Sequence, residues 1–417
     1  MAGSLVSSAF VVAAACGQAA PEKVERSSAP IINGTESGAS DDAAVGIALL
    51  TGGSFSGGCS GTLIAPNLVL TARHCVSETT PGGIGCKPDG SIVDGSGGEV
   101  VSDHRPADLA ILIGPVLKFD FAAKGKKVFT TGSKNLCNND IALILLDTDI
   151  AGAKIAPIRL DTAPVKGDQI LAIGWGVSNN STGYGRRRRE SIPITKVGPI
   201  GTTSGGYVGS GEFEIGEGIC SGDSGGPAFD MTTGAVIGAV SRGGNSAPYD
   251  PASDPQYTPC VDVAGHKTSN LYTRTDAFKD LIVKAFAEAA HEPWLEGAPD
   301  PSKKKFGDAC DGPVDCQSAL CIGLASGPIC SQTCDDATPC PAGFSCTDAA
   351  GTNVCAPTPP PAPAPSTTAP PSNAADGGGG GCSVAGPARP SSDSSSNFAA
   401  LALVAALGLA FRRSRRA

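Results

Sequence analysis

The sequence predicts an all-β fold, either a barrel or a sandwich, for the part of the chain that follows residue 30. Short apolar runs, such as 45–50 and 62–70, are separated by Gly, Ser, Pro and Asn, and strands at this spacing are typical of antiparallel β domains. Glycine (56) and proline (33) are abundant, whereas aromatic residues make up only 5% of the chain, which favours turns. One amphipathic helix is expected after Thr275, where apolar residues recur at helical spacing.

The sixteen cysteines of this 417-residue chain predict an exported protein with disulfides, because so many thiols are unusual in a reducing cytosol. Six lie in the first two thirds of the chain and eight between Cys310 and Cys355, while Cys16 and Cys382 stand apart. The net charge of −9 is dispersed, so nucleic-acid binding is not expected.

The second cysteine set predicts a disulfide-rich module over residues 306–356. Its eight cysteines fall within 46 residues, too short a segment to fold on a hydrophobic core alone. Zinc ligation is the alternative, but the segment contains no histidine and an exported protein favours disulfides. The pairing stays open, since many connectivities are possible.

Both ends of the chain carry features typical of processing signals. Residues 1–16 are apolar and end in Cys16, which predicts a signal peptide, of lipoprotein type if Cys16 is lipidated. Residues 17–30 form a short propeptide, and residues 357–381 a Pro/Gly-rich linker.

The last segment, residues 382–417, combines Cys382, the apolar stretch 398–411 and an arginine cluster. This pattern resembles the myxobacterial sorting signal MYXO-CTERM. The resemblance implies that sorting machinery cuts at the cysteine, so that the protein contacts the membrane transiently and is displayed on the cell surface or secreted. A simple anchor helix is the alternative, although the stretch is short for a membrane span.

Residues 220–229, CSGDSGGPAF, place Ser224 among glycines that let the backbone approach a ligand closely. Serine is a weak nucleophile unless a base activates it. The stretch fits the G-x-S-x-G nucleophile elbow of α/β-hydrolases, and it also resembles the GDSGGP loop of chymotrypsin-like proteases. A glycine-rich turn without chemistry is the third interpretation.

The order of a histidine and an aspartate decides between these interpretations. His74 lies in LTARHC and Asp140 in NDIALI, which resemble the histidine and aspartate motifs of trypsin-like proteases. An α/β-hydrolase has its serine before the acid and the histidine, whereas here the order is His74, Asp140, Ser224. The elbow is excluded, and the family resemblance predicts a protease domain over residues 31–295.

The resemblance to the chymotrypsin/trypsin-like family implies two six-stranded antiparallel β-barrels with a C-terminal helix. It implies that Ser224 is the nucleophile, His74 the general base and Asp140 the acid that orients it. The N–H groups of Gly222 and Ser224 would form the oxyanion hole, and no cofactor or metal is expected.

Activation by cleavage is implied by Ile31-Ile32-Asn33-Gly34, which resembles the N-terminus of a cut zymogen. In that family the new ammonium group pairs with the carboxylate before the nucleophile, here Asp223, and such a buried pair acts as a switch. A strand start without any cut is the alternative. Pro30 precedes Ile31, so the activating protease is not expected to be tryptic.

The resemblance also places a substrate pocket at Gly218, Ser241, Gly243 and Asn270. Because Gly218 is not acidic, small or medium apolar side chains are expected at the cleavage site. A slip of the loop that brought in Glu217 would restore an acid and a preference for Arg or Lys.

The family pattern pairs Cys59 with Cys75 and Cys220 with Cys260, and Cys86 and Cys137 remain for each other. Arg186 to Arg189 are expected in an exposed loop, either as a solvated charge run or as a self-processing site.

The predicted function is therefore a serine endopeptidase that acts on proteins or peptides and is exported as a zymogen with an activating protease as partner. The alternative is a surface adhesin or binding protein whose cysteine-rich module carries the main role, with the protease serving processing.

Overall fold

The computed structural model describes residues 31–116, 118–176, 185–349 and 351–359. The chain divides into two compact units after residue 298. The predicted signal peptide, propeptide and sorting signal, and most of the predicted linker, lie outside the described residues. Within the described part, no helix is both long and apolar enough to cross a membrane.

The first unit consists mainly of strands joined by tight turns. Its strands are β1 (Thr35–Glu36), β2 (Ala44–Thr51), β3 (Ser54–Ala65), β4 (Leu68–Thr71), β5 (Ser77–Thr79), β6 (Val100–Asp103), β7 (Leu109–Leu112), β8 (Ala123–Thr130), β9 (Ala142–Leu146), β10 (Gln169–Gly174), β11 (Arg187–Val197), β12 (Ile200–Gly201), β13 (Tyr207–Val208), β14 (Glu212–Ile215), β15 (Pro227–Asp230), β16 (Val236–Gly244) and β17 (Ser269–Arg274). Short 3-10 turns lie at Ala39–Asp41, Arg73–Val76, Pro106–Asp108, Thr258–Cys260 and Asp276–Phe278.

Strands β2, β3, β4, β9, β8 and β7 form a closed antiparallel barrel. β4 and β9, which read LVLT and ALILL, are buried along their whole length. They pair from Leu68–Leu145 to Thr71–Ala142, so the ends of these two strands lie side by side. That juxtaposition brings together the segments that follow β4 and precede β9.

Strands β11, β10, β15, β16, β17 and β14 form the second antiparallel sheet, which the β11–β14 pairing closes into a barrel. In its core the rings of Phe213 and Tyr272 are stacked with centroids 5.1 Å apart. β1 adds to β11 as a seventh strand. The prediction of two six-stranded antiparallel barrels is confirmed.

The helix α1 spans Lys279–Ala289 and follows the 3-10 turn Asp276–Phe278. Its apolar stripe, which includes Ile282 and Phe286, is buried in one cluster with residues of β4, β8 and β9. The helix therefore packs on the first barrel although the chain reaches it from the second. It ends at Ala290, which takes a left-handed conformation (φ 56°) and donates its N–H to the last turn.

The second unit is a small fold held by disulfides, as predicted in preference to zinc. Its elements are the 3-10 turn Pro313–Asp315 and the strands β18 (Cys321–Ile322), β19 (Ile329–Cys330), β20 (Phe344–Ala349) and β21 (Thr352–Pro357), paired as two hairpins. The bonds are Cys310–Cys321, Cys316–Cys330, Cys334–Cys346 and Cys340–Cys355. The same crossed pattern thus occurs twice in tandem.

Replacing Phe286 by Ala should destabilise the first unit by about 3–5 kcal/mol, because the phenyl ring is 1% exposed and its removal leaves a cavity. Both tryptophans of the chain, Trp175 and Trp294, lie in this unit, so urea unfolding followed by tryptophan fluorescence reports on it alone. Val283→Ala is the matched control, since Val283 lies on the same helix and is 43% exposed. Equal midpoints for the two variants would contradict the packing described here.

Candidate active site

His74 and Asp140 lie at the adjoining ends of two neighbouring strands. His74 is in the turn that follows β4, and Asp140 lies just before β9. His74 Nδ1 is 2.9 Å from Asp140 Oδ2, and the backbone N–H of His74 donates to Oδ1 at 3.0 Å. The proton on Nδ1 faces the carboxylate, which leaves Nε2 as the nitrogen that can accept a proton.

Asp140 is completely buried and receives further hydrogen bonds from the second barrel. Ser241 Oγ donates to Oδ2 at 2.6 Å, and Thr273 Oγ1 donates to the backbone oxygen at 3.0 Å. Burial raises the pKa of Asp140, but the His74 charge and the hydrogen bonds that the carboxylate accepts from His74 and Ser241 outweigh it, so the pKa is lowered overall. For His74, burial lowers the pKa, but the attraction of Asp140 prevails and raises it.

Ser224 is held in a tight loop between Gly222 (φ 95°) and Gly225 (φ 75°). A Cβ on Gly225 would lie 2.0 Å from Thr71 Oγ1, so only glycine fits there. The backbone carbonyl oxygen of Ser224 accepts a hydrogen bond from the Ser60 N–H at 2.8 Å. These contacts hold the serine loop against β3 and against the end of β4, which leads into the histidine turn.

Asp223 is fully buried, and its carboxylate accepts hydrogen bonds from backbone N–H groups. Gly176 donates to Oδ1 and Cys220 to Oδ2, each at 2.8 Å, and Ile31 contributes a third N–H. Burial raises the pKa of Asp223 to about 7, against the effect of the three donors. Ile31 is itself 0% exposed, so the predicted activation residues do lie together.

A cavity of about 330 Å³ opens beside Ser224. Its lining includes Ser241, Gly243 and Asn270, as predicted for the substrate pocket, but it does not include Gly218. Gly218 packs instead against the side chains of Ile192 and Ile215. The assignment of Gly218 as a pocket-lining residue is therefore wrong for this cavity.

Asn270 is one of the side chains that line the cavity. Its Nδ2 donates to the Gly216 oxygen at 2.8 Å, and its Oδ1 lies 2.0 Å from the point where a Gly243 Cβ would stand. The amide thus lies between Gly243 and the Gly216 oxygen.

Glu217 does not supply an acid to this cavity. Its carboxylate accepts hydrogen bonds from Asn33 Nδ2 at 2.5 Å and from the Asp262 N–H at 3.1 Å. Glu217 is absent from the residues that line the cavity. The structure therefore does not contain the loop slip that would have brought Glu217 into the pocket as an acid.

A larger cavity of about 640 Å³, which we term the groove, adjoins the first, since Arg242 and Gly243 are among the residues that line both. The Arg242 guanidinium pairs with the Glu212 carboxylate, with Nη2 and Oε2 2.7 Å apart, and it also donates to the Tyr207 oxygen. Sequence reasoning missed this pair. The only signal for Arg242 was its position directly after Ser241.

Three disulfides brace the region: Cys59–Cys75, Cys86–Cys137 and Cys220–Cys260. The first joins β3 to the histidine turn. The third joins the segment before Ser224 to the turn Thr258–Cys260, and both of its cysteines line the 330 Å³ cavity.

The prediction that Arg186 to Arg189 lie in an exposed loop is wrong. The Arg186 side chain is 0% exposed and pairs with Asp42 at 2.7 Å, and the other three arginines begin β11. Arg186 Nε and Nη1 also donate to Ser37 Oγ and the Ala44 oxygen. The run is ordered because it binds the segment that follows residue 31.

Comparison with family models matches residues 31–257, more than half of the chain, to the family described as Trypsin. The chain is 28% identical to phenoloxidase-activating factor 3 of Holotrichia diomphalia over 203 residues, covering 44% of this chain and 54% of that protein. It therefore spans about half the length of that relative. It is 28% identical to a snake venom serine protease of Crotalus durissus durissus (61% and 92% covered) and 27% identical to trypsin of Saccharopolyspora erythraea (54% and 86% covered).

The raised pKa of Asp223 predicts a pH dependence for the chain whose Pro30–Ile31 bond is intact. The folded pKa is about 7 and the unfolded value 3.8, so the folded state binds more protons between these values. The free energy of unfolding should therefore fall as pH rises from about 4 to about 7. Urea unfolding across this range measures it, with Asp223→Asn as the control that cannot ionise. A pH-independent difference between the two proteins would contradict the prediction.

Proposed function

Since the chain belongs to the trypsin family of serine proteases, we propose that it is an endopeptidase with Ser224, His74 and Asp140 as its catalytic triad. The observation that carries this proposal is the chain of hydrogen bonds from Ser241 to the buried Asp140 and on to His74. It holds Nδ1 against the carboxylate, so Nε2 is the nitrogen that would accept a proton. We place the protease domain at residues 31–295.

In the proposed mechanism Ser224 Oγ attacks the carbonyl carbon of the peptide while His74 Nε2 takes its proton. The Asp140 carboxylate stabilises the imidazolium that forms, consistent with the raised pKa of His74. His74 then gives the proton to the departing amine, which leaves an acyl-enzyme on Ser224. Water, activated by the same imidazole, hydrolyses the ester and restores the serine.

The oxyanion of the tetrahedral intermediate would accept hydrogen bonds from the N–H groups of Gly222 and Ser224. The Gly222 carbonyl is fixed because it accepts a hydrogen bond from Ser60 Oγ at 3.0 Å. The left-handed φ of Gly222 and the anchored Ser224 carbonyl support a preformed site.

Activation would proceed by cleavage before Ile31. With the bond to Pro30 intact, Ile31 has a φ of 53°, a strained value for a β-branched residue. Cleavage removes the preceding carbonyl, and with it this strain, and creates an ammonium group next to Asp223. A buried carboxyl with a pKa of about 7 would then gain a counter-charge that the described residues do not supply.

The substrate side chain that enters the cavity beside Ser224 would be small or medium and apolar. Ile219 and Val240 contribute apolar walls, and the Asn270 amide would close the inner end. Glu217 is engaged elsewhere, so Arg and Lys would not be favoured. In this proposal the Asn270 side chain sets the size limit.

Export fits the seven disulfides of the described residues, since such bonds persist in oxidising compartments. Display on the cell surface, an activating protease and C-terminal sorting machinery belong to this proposal. They rest on sequence patterns in residues 1–30 and 382–417, and a binding role for the second unit stays a prediction.

Ser224→Ala should abolish covalent labelling by a fluorophosphonate probe, because the probe needs the activated hydroxyl as nucleophile. Labelling is read by in-gel fluorescence of the cut protein. Ser253→Ala is the control, since the Ser253 hydroxyl is exposed and donates to Asp250. Undiminished labelling of Ser224→Ala would overturn the assignment.

Asn270→Gly should deepen the cavity and shift the side-chain preference. We expect kcat/KM for a Leu peptide relative to the matching Ala peptide to rise by at least about tenfold, as pocket size differences of a few methylenes produce. The two peptides are compared on the wild type and the variant. An unchanged ratio, or an Arg/Lys preference in the wild type, would contradict the proposed pocket.

A further inference from the structure

Arg189 joins the segment after the proposed cleavage site to the segment that follows β14 and leads into the proposed substrate pocket. Its Nη1 donates to the Ile32 oxygen at 3.0 Å and to the Glu217 oxygen at 3.1 Å. Arg189 stands on β11 opposite Ala172 of β10. Its position is therefore set by the second barrel and not by either segment that it contacts.

The Glu217 side chain makes a second connection between the same two segments. Its carboxylate accepts a hydrogen bond from Asn33 Nδ2 on one side and from the Asp262 N–H on the other. Arg189 Nη1 lies 3.8 Å from Glu217 Oε1. Asn33, Arg189 and Glu217 thus form one polar cluster, which we term the latch.

The latch connects the Asp223 site on one side to the cavity beside Ser224 on the other. On one side, Ile31 immediately precedes Ile32 and donates its N–H to Asp223. On the other side, Glu217 leads into Ile219 and Cys220, which line the cavity beside Ser224. A displacement of Ile32 can therefore reach the pocket wall through the Arg189 guanidinium, alongside the hydrogen bond from Asn33 to Glu217.

Arg186 fixes the remainder of the segment independently of the latch. Its fully buried guanidinium contacts Ser37, Gly38, Asp42 and Ala44. Because the chain is anchored from Ser37 onward, a cut before Ile31 frees only a short end. That end docks as a tethered group at high effective concentration, as in intramolecular binding.

We propose that Arg189 is a positioning residue that couples the docking of the freed N-terminal residues to the shape of the pocket wall. The inference rests on the proposed function, because it presumes cleavage before Ile31. The guanidinium suits this role, since one planar, permanently charged group can donate to two carbonyl oxygens. A lysine can approach the same oxygens only as a point charge.

The test uses the full chain with an enteropeptidase recognition sequence placed directly before Ile31, so that each variant is cut at the same bond. Arg189→Gln and Arg189→Lys are compared with Arg188→Gln. Arg188 is the adjacent residue of β11 and is similarly exposed (26% against 30%), but its guanidinium pairs with the side chains of Glu190 and, at 3.6 Å, Asp41, which lies in the part of the segment that Arg186 anchors. Active sites are titrated with the fluorophosphonate probe before kcat and KM are measured.

In Arg189→Gln we expect kcat/KM per titrated site to fall about tenfold, the effect of losing roughly one charge-assisted hydrogen bond, mainly through KM. The Ile31 amine should react with acetic anhydride about tenfold faster, as measured by mass spectrometry of the N-terminal peptide. Arg189→Lys should lie between the wild type and Arg189→Gln, while Arg188→Gln should stay within about twofold of the wild type.

Matching values for Arg189→Gln and Arg188→Gln in both measurements would overturn the coupling. If Arg189→Gln does not fold, Arg189→Lys is used instead. A KM and an acetylation rate equal to those of the wild type in Arg189→Lys would then contradict the proposal. Acetylation needs no catalysis, so it still tests the latch if the wild type proves inactive. Inactivity of the wild type would instead reject the proposed function.

Discussion

The burial of one carboxylate, that of Asp223, is the constraint on which the arrangement of the site depends. With no solvent contact, the carboxylate needs donors, and it takes them from the N-terminal segment, from Gly176 and from Cys220. The three donors belong to segments far apart in sequence, so satisfying one side chain fixes all of them relative to Ser224. The glycine at 176 is required because a Cβ there would lie 2.7 Å from this carboxylate. A site ordered in this way responds to any change in the charge beside Asp223.

The site is also where the two barrels are joined by polar contacts. The first barrel supplies His74 and Asp140, and the second supplies Ser224 and Ser241. Hydrogen bonds run between the barrels: Ser241 Oγ donates to the Asp140 carboxylate, and the Ser60 N–H donates to the backbone oxygen of Ser224. Helix α1 packs on the first barrel after the chain has completed the second. The distance between His74 and Ser224 is therefore set by contacts between the barrels, and neither barrel could hold the site alone.

The fold and the central residues could be predicted because their signals are local. His74, Asp140 and Ser224 each lie in a short motif, and the alternating apolar runs indicate strands. The burial of the arginines could not be predicted, because it depends on partners distant in sequence. Arg186, for example, donates a hydrogen bond to Ser37, 149 residues away. The direction of the Glu217 carboxylate likewise depends on Asn33, 184 residues away. The family resemblance therefore placed the arginine run in an exposed loop, although its partners bury Arg186.

Three nearly buried arginines share one arrangement around the site. Arg73 next to His74 pairs with Asp103, Arg186 pairs with Asp42, and Arg242 in the groove pairs with Glu212, with side chains 5%, 0% and 8% exposed. Where both partners are buried, as in Arg242–Glu212, such an ion pair contributes little net stability because desolvation offsets the attraction, whereas Asp42 and Asp103 are 21% and 58% exposed. Their consequence is positional, since a buried guanidinium tolerates few geometries and removing its partner leaves an uncompensated charge. The histidine turn, the N-terminal segment and the groove are thus each positioned by a buried guanidinium.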